Sequence, residues 1–382
     1  MVEKGIMRSQ KIEFANACRG IAALSVVIVH LAIAFWLQQP QITVFTGLPA
    51  LTFPAPAFAL WLDALPINFA AFGVALFFVV SGFVIPISLE RYDARAFLAA
   101  RFVRIWPTYW AGFSVTLIAL ALGAIAFGGE RPFNAVQAII HFFPPLRVLL
   151  YSKPLDGIIW TLEIEFFWYM LAACIAGLLR RGSLKAFVAP VALLALFGLS
   201  WALANAPPSL AKLAGRLEFV TIYSPFLIFI FCGVALNFRQ RGLVSRTACA
   251  ALLAFCVALF LLAVASGKLV GIAAPGSYLA ALGVFVLAMA FQDRLNDGPV
   301  LRFLANVSYP LYVEHGFAGF VLLHALIVAG WTPLAALTAA LTAALALAWV
   351  LHRLVETPSH RLAQHLSRAW SRRLAGKIDA GA

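Results

Sequence analysis

The sequence predicts an all-α, polytopic membrane helix bundle of about ten transmembrane helices, with both termini cytoplasmic. Three observations predict it. The chain is 63% hydrophobic and 11% charged over 382 residues, which places it among membrane proteins. Runs of roughly 18 or more apolar residues recur from end to end, each long enough to cross a bilayer as a helix. The basic residues gather on alternate inter-span segments, as the positive-inside rule requires.

Ten spans follow in order. The first, 14–37, reads FANACRGIAALSVVIVHLAIAFWL. It is too long for a signal-peptide core and has no small-residue cleavage site, so it reads as a retained helix. The second, 67–89, carries FFVVSGFVI (Phe77–Ile85). The third, 105–127, follows a basic start, and the fourth, 157–179, opens on WTLEIEFFWY (Trp160–Tyr169). The segments 186–205, 219–238, 247–266 and 276–291 are apolar throughout. The ninth, 304–329, contains SYPLYVEH (Ser308–His315), and the tenth, 333–354, leads into Glu356 and Pro358. Cys18, Cys174, Cys232, Cys249 and Cys256 all fall in these spans without metal-ligand spacing. They read as small buried hydrophobes. No metal cluster is expected, and His352, His360 and His365 read as interfacial tail residues.

An even number of spans puts both termini on one side, and the charges say which. With the N-terminus cytoplasmic, 22 of the 28 Lys and Arg residues lie on inner segments. Only Arg131, Arg147, Lys153, Lys212, Arg216 and Lys268 lie outside. The net charge of +13 follows largely from this sidedness, and part of it meets anionic lipid heads. A nucleic-acid partner would need a soluble basic module, and none is visible. Two outer segments are long. Residues 38–66 hold five prolines and read as an ordered cap. Residues 128–156 include an apolar stretch broken by Pro144 and Pro145, which reads as re-entrant or interfacial.

Ionisable groups at membrane depth are costly and usually face a protein interior or a wet path. Arg19 and His30 are eleven residues apart in the first span. In an α-helix that step turns about 1100°, about 20° past three turns, so the two share one face about 16 Å apart. His30 suits a general base near neutral pH; its bland reading is a packed histidine. Arg19 reads as a snorkelling residue or as a charge fixed for a phosphate or carboxylate. Arg101 and Arg104, one turn apart at a helix start, read as a phosphate fork or as topology signals. Ser81 and Gly82 would let backbones approach, for a ligand or for packing alone. Neither Ser81 nor Ser308 sits in a nucleophile elbow.

Glu163 and Glu165 are about 200° apart around a helix and cannot share a face. Glu165 could orient a hydroxyl or simply pair, and Glu163 is expected at an outer vestibule. Ser308, Tyr312 and His315 step i, i+4, i+7 and form one stripe. That stripe could line a path or serve interhelical hydrogen bonding. Glu314, beside it, could pair with His315. Glu356 is expected to fix the inner end of the last span, against an arginine.

These motifs stand in one order: R-x10-H (Arg19, His30), SGF at Ser81–Phe83, R-x-x-R-I-x-P (Arg101 to Pro107), WTLEIEFFWY, SYPLYVEH and E-x-P. The set resembles the acyltransferase-3 family of integral membrane acyltransferases. The resemblance implies a membrane acyltransferase domain over 1–362 and a basic cytoplasmic tail over 363–382. It implies a multi-pass protein of a bacterial inner membrane. There it would move an acyl group, chiefly acetyl, from cytoplasmic acetyl-CoA or another acyl-CoA to a hydroxyl of an extracytoplasmic or lipid-linked glycan. His30 would be essential to transfer, with Arg19 and Glu165 beside it. Arg101, Arg104, Ser81, Gly82, Ser308, Tyr312 and His315 would serve the donor. Two positions depart from the family pattern: Ala99 and Ala100 precede Arg101 where a further Arg is common, and Glu314 stands where an apolar residue is usual. Two other readings remain open. A proton-coupled transporter would use His30, Glu165 and Arg19 as a relay, and a structural subunit would not need His30.

Overall fold

The recurring apolar runs form helices, and no strand occurs among the described residues. A computed structural model describes residues 2–205, 207, 217–265, 274–294 and 298–366, without the side chains of 2–12, 218 and 221. The tail beyond residue 366, with Arg368, Arg372, Arg373 and Lys377, lies outside the described residues, as do Lys212, Arg216 and Lys268. So do the side chains of Lys4, Arg8 and Lys11.

Helix α1 comprises Val2–Val27, a π-helical turn Ile28–Ala34 and Phe35–Leu37. Two short helices follow, α2 (Gln39–Thr46) and α3 (Ala57–Asp63), then α4 (Phe69–Leu89) and α5 (Ala94–Phe127). The segment expected to be re-entrant forms α6 (Ala135–His141) and α7 (Pro144–Leu149). Next come α8 (Ile159–Cys174), α9 (Ala176–Arg181), α10 (Leu184–Ala204, its first turn 3-10), α11 (Glu218–Gln240), α12 (Arg246–Val264) and α13 (Pro275–Ala290). Last are α14 (Pro299–Val328) and α15, which is Pro333–Leu351 carried by a second π-turn, His352–Glu356, to Leu366.

Eight of these helices are long and apolar enough to cross a membrane. The fourth expected span is split at Ile175 into α8 and α9, and the eighth is the 16-residue α13. With these two the chain carries the ten expected apolar helices. The third expected span starts earlier than the pattern suggested. Asp93 Oδ1 accepts from the N–H groups of Arg95 and Ala96 at 2.9 and 3.0 Å, an N-terminal cap that begins α5 at Ala94. Arg101 and Arg104 are therefore inside α5, about two and three turns from its N-terminus, and not at a helix start.

The helices divide into two units. One holds Met1–Cys18, Val74–Leu98 and Ile164–Asn296. Its tightest crossing is α4 against α11. A Cβ at Gly82 would stand 2.0 Å from the Ile230 carbonyl oxygen, and one at Gly233 would stand 2.1 Å from that of Val79. Only glycine allows the two backbones so close. Beside the crossing, buried Asn237 donates its side-chain N–H to the Phe83 carbonyl at 2.8 Å. Phe229, Phe260 and Tyr278 pack ring on ring, with centroids 4.9–5.1 Å apart. Arg180 donates to the Leu89 and Tyr92 carbonyls, and Arg241 pairs with Glu90 at 2.8 Å. Charges that the sequence assigned to sidedness thus also close helix ends.

The second unit holds Arg19–Gly73, Ala99–Glu163 and Asp297–Ala382. Here α6, α7 and the chain up to α8 form an ordered assembly. Tyr109 donates its hydroxyl to the His141 carbonyl and Trp110 its indole N–H to the Phe142 carbonyl, both at 2.8 Å. Buried Glu163 accepts both arms of the Arg147 guanidinium, which also donates to the Ser152 carbonyl. Glu163 therefore does not face an open vestibule. Its environment is a dry ion pair, because a carboxylate with no solvent needs a matched donor pair.

The α4–α11 crossing sets a stability test. Gly82→Ala should destabilise the protein by about 1–3 kcal/mol through overpacking. Gly276→Ala, whose new Cβ would meet nothing within 4 Å, should be close to neutral. Thermal unfolding of the two variants in detergent measures the difference.

Candidate active site

Helices α1 and α14 approach closely, since a Cβ at Gly20 would lie 2.9 Å from the Ala305 nitrogen. Farther along, His30 meets His315. The rings stack at 5.1 Å with a 17° tilt, and His30 Nδ1 is 2.9 Å from His315 Nε2. His315 Nδ1 lies 2.7 Å from the Leu311 carbonyl oxygen. A carbonyl can only accept, so His315 Nδ1 carries the proton. A neutral His315 then has a lone pair on Nε2, and His30 Nδ1 must donate to it. This chain fixes His30 with a bare lone pair on Nε2, the tautomer that can accept a proton.

The π-turn Ile28–Ala34 carries His30. In it the Leu31 carbonyl accepts from the Trp36 indole N–H, at 2.8 Å. Such turns recur at functional sites because they rotate side chains out of the α-helical register. His30 lines a cavity with Thr116, Asp156, Gly157, Ile158 and, on α14, Val313, Gly316, Phe317 and Phe320. The α14 residues step i, i+3, i+4, i+7, so one wall is a single apolar helix face.

Asp156 was not legible as a site residue. It is 8% exposed, and its Oδ1 accepts from the N–H groups of Ile158 and Ile159 at 3.1 and 2.7 Å. Burial, reinforced by nearby Glu163, pushes its carboxyl from 3.8 up to about 6, against the pull of the two N–H groups and Arg147. The one sequence signal was its place just before an apolar run, the position of a helix cap. His141 helps to hold this segment. Its Nδ1 donates to the Gln137 carbonyl at 2.7 Å, and its Nε2 accepts from Leu155 N–H at 3.1 Å. Burial keeps its imidazole below the ordinary value.

The rest of the α14 stripe is divided in role. Tyr312 and Thr161 share a 2.7 Å hydroxyl contact. Thr161 already donates to the Ile158 carbonyl at 2.8 Å, so Tyr312 is the donor between them. Ser308 back-bonds to the Ala305 carbonyl on its own helix, at 2.8 Å. Glu314 does not pair with His315, whose two nitrogens are occupied by His30 and Leu311. It is 2% exposed, and its Oε1 has no hydrogen-bond partner among the described residues.

A second polar cluster lies in the same unit. Arg104 Nε donates to His360 Nε2 at 2.9 Å. Arg19, Arg101 and His352 also bear electrostatically on His360. Buried Glu356 pairs with His352 at 2.7 Å and stands 3.5 Å from His360. The second π-turn, His352–Glu356, carries it. Glu356 thus meets two histidines, not an arginine, and His352 and His360 are cluster members and not loose tail residues. The three arginines expected to handle an anion are gathered here, around a histidine the sequence reading had set aside.

The other expected residues belong to the first unit. Glu165 accepts from the Tyr169 hydroxyl one turn along α8. Gly82 forms the helix crossing described above, and Ser81 Oγ beside it is buried without a hydrogen-bond partner among the described residues. No group of three or more His, Cys, Asp or Glu suited to a metal occurs among the described residues.

The Asp156 carboxyl predicts a pH effect. Below pH 3.8 the group is protonated folded or unfolded and costs nothing. Above about 6 it is ionised in both, and the raised folded value opposes folding by about 3 kcal/mol. Asp156→Asn should therefore gain stability relative to the parent as pH rises from 4 to 7. A protonated-carboxyl infrared band should grow in as pH falls through about 6, and be absent from the variant.

A family model described as an acyltransferase domain, acyltransferase-3, matches residues 12–353. No curated protein and no solved structure matches the chain.

Proposed function

We propose that this chain, which belongs to the acyltransferase-3 family, is an O-acetyltransferase of a bacterial inner membrane. A multi-pass acyltransferase takes an acyl donor and an acceptor, and the finer assignment concerns which ones. The donor is acetyl-CoA or another acyl-CoA, supplied from the cytoplasm. The acceptor is a hydroxyl of an extracytoplasmic or lipid-linked glycan. Both termini are cytoplasmic in this reading, which rests on the split of 22 inner and 6 outer basic residues.

The observation that carries the chemistry is the hydrogen-bond chain from Leu311 through His315 to His30. It supports His30 as the general base. Nε2 takes the proton of the acceptor hydroxyl as its oxygen attacks the thioester carbonyl. The C–S bond then breaks, and the leaving CoA thiolate takes that proton back. His315 is a positioning residue: it holds the tautomer and shares the imidazolium charge. The arginines Arg19, Arg101 and Arg104 suit the anionic phosphates of CoA. Glu165, Ser81, Gly82, Ser308 and Tyr312 act in support, through the packing and hydrogen bonds they make.

His30→Ala should cut transfer by about 100- to 10,000-fold while expression and insertion persist. His315→Ala should lower kcat with acyl-CoA affinity unchanged, because His30 then loses its acceptor. Acetyl release and acetyl-CoA binding by the purified variants measure both. Full activity in well-expressed His30→Ala would sink the base assignment and leave the family intact.

Sidedness is a separate test. In sealed vesicles of known orientation, acyl-CoA should work only from the side bearing the Lys- and Arg-rich segments, and the acceptor only from the other. If both substrates act from the same face, the acceptor is modified before export.

A further inference from the structure

We propose that Asp156 binds the acceptor through a second hydroxyl adjacent to the one acylated, so that the substrate is a polyol with neighbouring free hydroxyls. This rests on the reading of the chain as an O-acyltransferase with His30 as base. Two observations carry it beyond that reading. First, Asp156 and His30 line one cavity, with Thr116 beside them. Another part of the lining, the Val313, Gly316, Phe317 and Phe320 face of α14, is apolar and suits a methyl-bearing acyl group. The cavity therefore joins an apolar helix face to a single carboxylate, Asp156, among its lining residues.

Second, the carboxylate is held ready. Its Oδ1 is fixed by the N–H groups of Ile158 and Ile159, while Oδ2 has no hydrogen bond among the described residues. The backbone that presents it is braced by the bond from Leu155 N–H to His141 and by Thr161, which ties Ile158 to Tyr312. A carboxylate can only accept, so its partner must be a donor. A hydroxyl already engaged by His30 has given its one proton there. The donor for Asp156 is then a different hydroxyl, and because Asp156 and His30 line the same cavity it is placed on a neighbouring carbon. A site built to receive a substrate O–H discriminates strongly against an analogue that lacks it.

A purely structural Asp156 would be only the cap of α8. Asparagine caps as well as aspartate does, so Asp156→Asn keeps the cap and removes the charge. The experiment supplies acetyl-CoA to the purified protein in detergent, with a methyl glycoside bearing adjacent free hydroxyls or its singly deoxygenated analogues as acceptor. Acetyl transfer, acceptor KM and hydrolysis of acetyl-CoA without acceptor are read for parent and variant. The parent should prefer the intact diol by tenfold or more. Asp156→Asn should raise the acceptor KM by at least tenfold and abolish that preference. Equal preference in parent and variant would overturn the proposal and reduce Asp156 to a cap. So would a parent that hydrolyses acetyl-CoA but transfers to deoxygenated and intact probes alike, or to neither. A parent that neither binds nor hydrolyses acetyl-CoA would overturn it by removing the acyl-transfer reading beneath it, a result distinct from all the others.

Discussion

The hydrogen bond between the imidazoles of His30 and His315 constrains everything around it. It joins two helices at a depth where neither ring could stay unpaired without cost. It demands the close approach of α1 and α14 at Gly20, since bulkier residues there would hold the helices apart. It also demands a π-turn, because His30 must face a partner while the flanking helix keeps its apolar surface buried. The direction of the bond is inherited from a backbone carbonyl. A fixed dipole four residues away thus decides which nitrogen of His30 is basic.

The same economy of partners governs the other buried polar groups. Arg147 of α7 and Glu163 of α8 neutralise each other. Arg104 finds His360, and Glu356 finds His352. In a low-dielectric interior such pairing is what makes an ionisable residue tolerable at all, and it places the charges more sharply than sidedness does. Glu314 and Ser81 stand apart, since both carry buried oxygens without hydrogen-bond partners among the described residues. Thr108 Oγ1 and the Trp168 indole nitrogen are buried in the same way.

Helix number and order were readable because apolar runs of bilayer length are a strong and local signal. The ordered segments at 38–66 and 128–156 were readable from their prolines. Of the site, His30 and His315 could each be suspected from motif order, and the arginines from their clustering. Their partners could not. His360 lies 256 positions from Arg104, and no periodicity links two helices so distant in sequence. Asp156 looked like a loop residue because a cap and a cavity wall leave the same one-letter trace. Glu163 was misplaced because a buried ion pair needs Arg147, which the charge count had assigned to an outer loop. The early start of α5 was hidden by its basic first turns, which depress hydropathy without breaking the helix.

The two π-turns have a consequence for how such a chain can change. A π-turn amounts to one residue more than a regular helix needs. Deleting a single residue within 28–34 would return the ladder to α-helical pairing and rotate the downstream chain by about 100° relative to Arg19. The same holds for 352–356 and the residues that follow Glu356. Insertions and deletions at these two points therefore act as discrete angular steps, and substitutions elsewhere only adjust contacts. Among homologues, a spacing counted in residues along the first span would be conserved in number yet differ in direction wherever the turn is gained or lost. The sequence distance from arginine to histidine is thus a measure of length, and the geometry of the site is written in the phase of the helix.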